Sequence, residues 1–336
     1  LVEPASMLWP QLLASTTILN TLHAEEDAGE KSMSRMRWFI IIVISAFLYN
    51  FIPGLFIKSL SFFCWLCWIK PKDRILNIVT GINGMGLLSF SFDWSEIAFF
   101  GSPMVAPWWS ECNFFVGFVI FAWLVMPLLY FTNTWDSAYF PFSGHNAYDK
   151  HGKIYQEKLV LDEPSYTFNL DKFKGYSPIF LSMGFIVSYF GGFASITSVL
   201  CNMFINHYDN VLGALGLKSH EKPDIHAKLM RRYQSVPSWW FFATFFIPFL
   251  LILVSADYFH FTVKDIHLII AILLSVLYAL PSGYVFAMTG QMIGTNILAD
   301  VVGGYVLPGL PQGFLLFKCL AVQTLVSCLE FTGNLK

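Results

Sequence analysis

FIIIVISAFLYNFIPGLFI, from Phe39 to Ile57, runs without a charged residue, as do the stretches Asn113 to Phe131, Ser177 to Asn206 and Trp239 to Ala256. Roughly 20 apolar residues cross a hydrocarbon layer about 30 Å thick, so each of these is the length of a membrane span. Leu268 to Ala287, with Pro281 inside it, and Phe314 to Phe331 complete the set. Hydrophobic residues form 56% of the chain and charged residues 12%. An ordinary soluble domain carries about 25% charged residues, so there is too little ionic surface here to wrap a water-soluble globule. The expected fold class is all-α: a polytopic transmembrane helix bundle, one transmembrane domain over residues 1–336.

Working outward from the first span, Pro53-Gly54 should kink or end it, because proline removes a backbone donor. Before it lie an apolar, helix-like stretch from Met7 to Leu22 and the charged Glu25-Glu26-Asp27, Lys31, Arg35 and Arg37. The chain opens at Leu1 within polar sequence and stops at Lys336 directly after a span, which reads as part of a longer transporter. The six cysteines are scattered, five of them within apolar runs. Cys64-Trp-Leu-Cys67 has the spacing of a redox or zinc pair but no second Cys/His pair beside it; two buried, inert thiols are the expectation. The net charge of −2 says nothing about nucleic acid, and no such partner is expected.

Two regions break the pattern. From Ile75 to Trp109 the chain carries Gly81, Gly84, Gly86, Gly101, Pro103 and Pro107 among aromatic residues. Gly81-Ile-Asn-Gly84-Met-Gly86 resembles a phosphate loop, but no Lys-Ser/Thr follows it. The second region runs from Thr289-Gly-Gln291 through Asp300, Gly303-Gly304 and Leu307-Pro-Gly-Leu-Pro311. Glycine and proline at that density predict broken or re-entrant helices, tolerated at membrane depth only where protein or a wet cavity satisfies the backbone. Paired interruptions of this kind point to a transport site.

Two hydrophilic stretches separate the spans. Residues 132–176 read as an external loop or small cap, with no Asn-X-Ser/Thr site to fix its side. In residues 202–237, Phe204, Tyr208, Val211, Leu212 and Leu215 recur at helical spacing, as do Ile225, Leu229 and Tyr233 beside Lys228, Arg231 and Arg232. That is the pattern of helices lying on a membrane surface. With Lys218 and Lys222 added, the positive-inside rule puts this amphipathic loop in the cytosol and residues 132–176 outside.

At these residues the chain resembles the oligopeptide transporter family of fungi and plants. The matching pieces are Asn20-Thr-Leu-His23, Phe92-Asp-Trp-Ser-Glu-Ile97, Gly101-Ser-Pro103 with Pro107-Trp-Trp109, Asn133-Thr-Trp135 with Tyr139-Phe-Pro141, and Asp224-Ile-His-Ala-Lys-Leu-Met230. Thr289-Gly-Gln291, Gly304-Tyr305 with Leu307-Pro-Gly309, and Leu335-Lys336 extend the match over essentially the whole chain. The family's upstream Asn-Pro-Gly and downstream Lys-Ile-Pro-Pro-Arg elements are absent, Asp300 stands where the resemblance implies Glu, and Asn334 where it implies an acid. What the resemblance implies is import of peptides of a few residues, glutathione among them, with protons as the coupling ion, by alternating access and with no other cofactor.

A short peptide is a zwitterion, and leaving either of its ends unpaired in a low-dielectric path costs several kcal/mol. Gln291, Thr295 and Asn296 are the candidates for bonding its backbone, with Tyr284 and Tyr305 as pocket liners beside Tyr278. Asp300 and Glu330 are the candidate proton carriers. The plainer readings are that Gln291 and Asn296 cap half-helices, that Asp300 opens a helix at the water boundary, that Glu330 is exposed, and that Lys318 snorkels to the interface. Asp93, Glu96 and Glu111 either line the same cavity or sit on the surface. One charge falling through 100 mV yields about 2.3 kcal/mol and a pH step of one unit about 1.4, together enough for a concentration ratio of a few hundred with a single proton.

Three alternatives stand. The cargo is instead a metal chelate or siderophore; or His207, Asp209, His220, Asp224 and His226 form the site of a membrane-embedded acyltransferase-like enzyme; or the chain is a truncated, inactive copy. The expected partners are a lipid bilayer and a small peptide, with the oligomeric state open. The expected location is the plasma membrane, with a vacuolar or endosomal one as the variant.

Overall fold

The structure, a computed structural model, describes residues 2, 6–23, 34–97, 105–209, 225–234, 236–259, 261 and 263–335, with backbone alone at 226 and 227. Among the described residues, six helices are long and apolar enough to cross a bilayer: α2 (Arg35–Phe56), α3 (Trp108–Phe131), α4 (Met183–Asn206), α5 (Ser238–Tyr258), α6 (Asp265–Thr289) and α8 (Pro311–Asn334). They are joined by α1 (Pro10–His23), which packs beside α6, and by the short α7 (Asn296–Val306). Pro53 has the predicted effect: regular α-helix stops at Phe51 and α2 closes in a π-helical turn, Ile52–Phe56. The flanks of α2, α3 and α5 expose almost continuous Ile, Leu and Phe surface, far more than water tolerates around a soluble protein.

The path of the chain follows from which residues meet. Ala271 and Phe317 share one apolar cluster, Ser275 Oγ donates to the Ala321 carbonyl at 2.5 Å, and Trp9 bridges Ala287 and Gly333. The partner numbers rise together, so α6 and α8 run parallel. Two parallel neighbours need the chain to cross back between them, and α7 makes that return: Ile293, before it, accepts from Ser282 low on α6, while Leu307, after it, packs on Ala271 and Phe317 near the top. At about 1.5 Å per residue, the 11 residues of α7 cover roughly 16 Å. The unwound run Gly290–Thr295 supplies roughly 20 Å more at extended reach, and the two together match the hydrocarbon thickness.

α4 descends alongside, because Tyr189 meets Asp300 near the top and His207 meets Tyr284 near the bottom. α3 ascends from Glu111, beside Gln291, to Met126 and Tyr130, which pack on Met183 and Val187 at the top. α5 ascends too, with Phe241 against Phe331. α2 ends at the top, where Leu60 accepts from the Phe92 amide at 2.9 Å and Asn83 from the Ser143 amide at 3.0 Å. Phe92 thus lies at the top and the start of α3 at the bottom, and residues 98–104 between them lie outside the described residues. The second irregular region serves as a crossing between membrane-length helices.

At the top, residues 132–182 form a small cap with an aromatic interior of Phe140, Phe142, Tyr148 and Tyr155 and two short antiparallel strand pairs. Asp149 closes a turn by accepting from the amides of His151 and Lys153, and Lys172 pairs with Asp162 at 2.7 Å. The amphipathic loop lies at the opposite end, after α4. Of it, 210–224, Asn202-to-Pro237 residues that include Lys218, His220, Lys222 and Asp224, lie outside the described residues, as does the side chain of His226; Leu229, Met230 and Tyr233 are exposed.

Candidate functional site

The unwound crossing is the local departure from regular helix that the sequence calls for, and its backbone is satisfied by side chains. Gly290 ends α6 in the left-handed region at φ +75°, a conformation glycine adopts without strain. Its carbonyl accepts from Gln11 Nε2 at 2.6 Å, the Gln291 amide donates to Thr289 Oγ1 at 3.0 Å, and the Ile293 carbonyl accepts from Ser282 Oγ at 2.7 Å. Two glycines let α7 sit close to its neighbours. Ile297 fills the space over Gly192 on α4, and the rings of Phe314 and Phe317 lie over Gly303, so a Cβ at either position meets a side chain at once.

Thr295 ends the unwound run as the N-cap of α7. Its side chain is fully buried, yet its hydroxyl makes no capping bond and has no partner. The hydroxyl of Tyr278 is also buried and unpartnered. Tyr278 sits one turn before Ser282 on the inner face of α6, which turns toward α7 and α8. A buried hydroxyl without a partner costs about 1–3 kcal/mol, so two of them beside one broken helix are a standing demand for oxygen or nitrogen from elsewhere.

One turn into α7, Asp300 gathers the charges of the site. Lys318 Nζ on α8 lies 2.7 Å from Asp300 Oδ1, and the Tyr189 hydroxyl on α4 donates to Oδ2 at 2.8 Å. The side chains are 31% (Lys318) and 17% (Asp300) exposed. Three elements thus meet on one carboxylate. Asn296, exposed, precedes Asp300 by four residues and so lies on the same face of α7.

The remaining candidates fall elsewhere. Gln291 does not cap a helix; its amide reaches Glu111 Oε1 at 3.4 Å, joining the bottom of α3 to the unwound run. Asn296 makes no cap either, because Thr295 holds that position. Tyr284 is buried with its hydroxyl 2.8 Å from His207 Nδ1, at the bottom of the bundle. Tyr305 is 88% exposed on the outer side of α7, directed away from the core of this chain. Glu330 is exposed near the lower end of α8. Lys318 pairs inward instead of snorkelling, since α7 brings a carboxylate within its reach. Asp93 and Glu111 occupy opposite ends of the bundle and line no common cavity. Asp93 is buried at the top, accepting from Ser95 and Ser61, and the Ser95 hydroxyl, followed by Ser61, holds its carboxyl below the usual carboxylate range. Sequence reasoning missed Tyr189, one aromatic among many in an apolar run.

Cys64 and Cys67 come together, with sulfurs 2.8 Å apart and each 3.2 Å from Thr80 Oγ1. No group of three or more metal-ligating side chains occurs among the described residues.

Comparison with known proteins bears directly on this architecture. The family model described as OPT oligopeptide transporter protein matches residues 1–336. The chain belongs to the oligopeptide transporter family. The "Glutathione transporter 1" of Schizosaccharomyces pombe is 34% identical over the whole chain and 41% of its own length. "Oligopeptide transporter 1" of Arabidopsis thaliana is 33% identical, with all of this chain and 46% of that protein covered, and "Oligopeptide transporter 1" of Saccharomyces cerevisiae is 32% identical, with all of this chain and 43% covered. The chain thus spans less than half the length of these relatives. No solved structure matches it. Membership and six apolar helices together make this an integral membrane protein.

Proposed function

We propose that this chain supplies part of the path by which a proton-coupled transporter imports small peptides, with substrate meeting the unwound run and the start of α7. The observation that carries the reading is the buried, unpartnered hydroxyl of Thr295 at the N-cap of a half-helix that crosses the bundle. The first turn of such a helix presents free N–H groups, and Thr295, Asn296 and Tyr278 add side-chain donors and acceptors of the kind a peptide backbone takes. Asp300 is the group proposed to hold a proton or a positive end, because it alone of the candidate acids joins three elements. The names of the relatives support oligopeptides and glutathione as cargo. The location proposed is the plasma membrane.

Uptake of labelled tetrapeptide or glutathione into cells expressing the full-length protein, at several external pH values, tests cargo and coupling together. Uptake that rises with acid and falls in Thr295→Val is the expected result. Uptake of a metal chelate in preference to peptide sinks the peptide reading and leaves the chelate one. Of the residues offered for the enzyme reading, His207 has its ring engaged by the Tyr284 hydroxyl at 2.8 Å.

A further inference from the structure

We propose that Lys318 is the group that holds the substrate's terminal carboxylate, and that the ion pair it makes with Asp300 is the internal stand-in that substrate displaces. The inference rests on the peptide-transport reading above and assigns a recognition role within it. The pair closes two charges on each other at 2.7 Å across the contact between the broken crossing and α8. Opening it with nothing to replace either partner strands a charge beside Phe314 and Phe317, which lie over the neighbouring turn of α7. A free peptide carries one carboxylate and one ammonium, so it replaces both halves of the pair and strands none. Tyr189 stays with Asp300 throughout, since its hydroxyl bonds the other carboxylate oxygen at 2.8 Å.

The exchange is also selective and mechanical. The two ends of a peptide lie farther apart than the two halves of a salt bridge, so accommodating both pushes α7 away from α8 at that level. The glycine contacts that seat α7, at Gly192 and Gly303, are van der Waals contacts with side chains and no hydrogen bonds, which leaves the Asp300–Lys318 pair as the polar latch between α7 and α8. A neutral molecule of the same shape has no carboxylate to offer Lys318 and leaves the latch closed.

Competition by unlabelled analogues against labelled tetrapeptide, with full-length protein in proteoliposomes, tests this. The analogues are the free acid, its C-terminal amide and its N-acetyl derivative. In the wild type the free acid should compete at least tenfold better than the amide. In Lys318→Ala that ratio should fall to about one while discrimination against the N-acetyl form remains, and Lys318→Arg should restore most of it. Binding of the same ligands to detergent-solubilised Asp300→Asn gives a second readout that does not depend on turnover. Asp300→Asn removes the ammonium partner of both ligands but frees Lys318 for a carboxylate alone, so the ratio of free-acid to amide affinity should rise several-fold over the wild type. Wild-type protein that carries peptide but treats acid and amide alike, an unchanged acid-to-amide ratio in Lys318→Ala, or equal effects on both ligands in Asp300→Asn overturns this inference and leaves peptide transport standing. Wild-type protein that neither binds nor carries peptide overturns the transport reading, and this one with it.

Discussion

Removing the ammonium of Lys318 leaves Asp300 as a carboxylate whose remaining partner is the Tyr189 hydroxyl. An exposed ion pair contributes roughly 0.2–1 kcal/mol, and breaking a fully buried one costs about 3–5. With side chains 17% and 31% exposed, this pair falls between those limits. We expect a loss of about 2 kcal/mol for Lys318→Met and a similar loss for Asp300→Leu, because each strands one charge. The double variant strands none and should lie within about 1 kcal/mol of the wild type, giving a coupling of about 3 kcal/mol or more. Melting of the full-length protein in lipid nanodiscs, followed by loss of monodispersity, should show each single variant lower by roughly 4 °C, at about 2 °C per kcal/mol for a large chain. A double variant whose loss equals the sum of the two single losses refutes the reasoning, since the residues then act independently.

Four other outcomes follow from particular contacts. Thr295→Val removes an unpartnered buried hydroxyl at constant shape and should stabilise the protein by about 1 kcal/mol while lowering peptide uptake; a destabilised variant would show that the hydroxyl has a partner. Gly192→Val should destabilise by about 1–3 kcal/mol by driving into Ile297, and Ile297→Ala in the same chain should recover part of the loss, measured by melting. In a background lacking the native cysteines, Lys264→Cys and Pro308→Cys should react with a membrane-impermeant thiol reagent from one side of the membrane and Gly294→Cys, if it reacts, from the other; opposite sidedness for the first two would exclude a crossing by 290–306. Asp93 has its carboxyl held below the ordinary range by Ser95 and Ser61, so its stabilising effect is present above the normal carboxylate pKa and is lost as pH falls through the lowered one. Asp93→Asn should flatten the acid limb of a stability-against-pH curve, and an unaltered limb would contradict that.

Much of the architecture was legible in the residues because lipid imposes a simple rule on the chain. A run such as Phe39 to Ile57 satisfies its own backbone as helix and offers only apolar surface, so length and absence of charge suffice to find it. The breaks at Pro53 and Gly290 were legible for the same local reason. What composition and spacing leave open is who stands opposite whom. Lys318 reads equally well as a snorkelling lysine until α7 brings Asp300 to it. Gln291 reads as a cap until Glu111 meets it from another helix. Tyr305 reads as a pocket liner, yet the helical phase set by Ala299 and Gly303 turns it outward.

By itself the amino-acid sequence determined that this chain lives in a membrane, which stretches span it to within a turn or two at either end, and which two regions cannot continue as unbroken helix, since each of these depends on groups close together along the chain. The tertiary structure alone decided that α6 and α8 run parallel, that the glycine-rich run between them is a crossing, and that Tyr189, Asp300 and Lys318 form one cluster. Those facts depend on how α7 settles against α4 and α8 through Gly192 and Gly303, a contact between distant segments that no local pattern encodes.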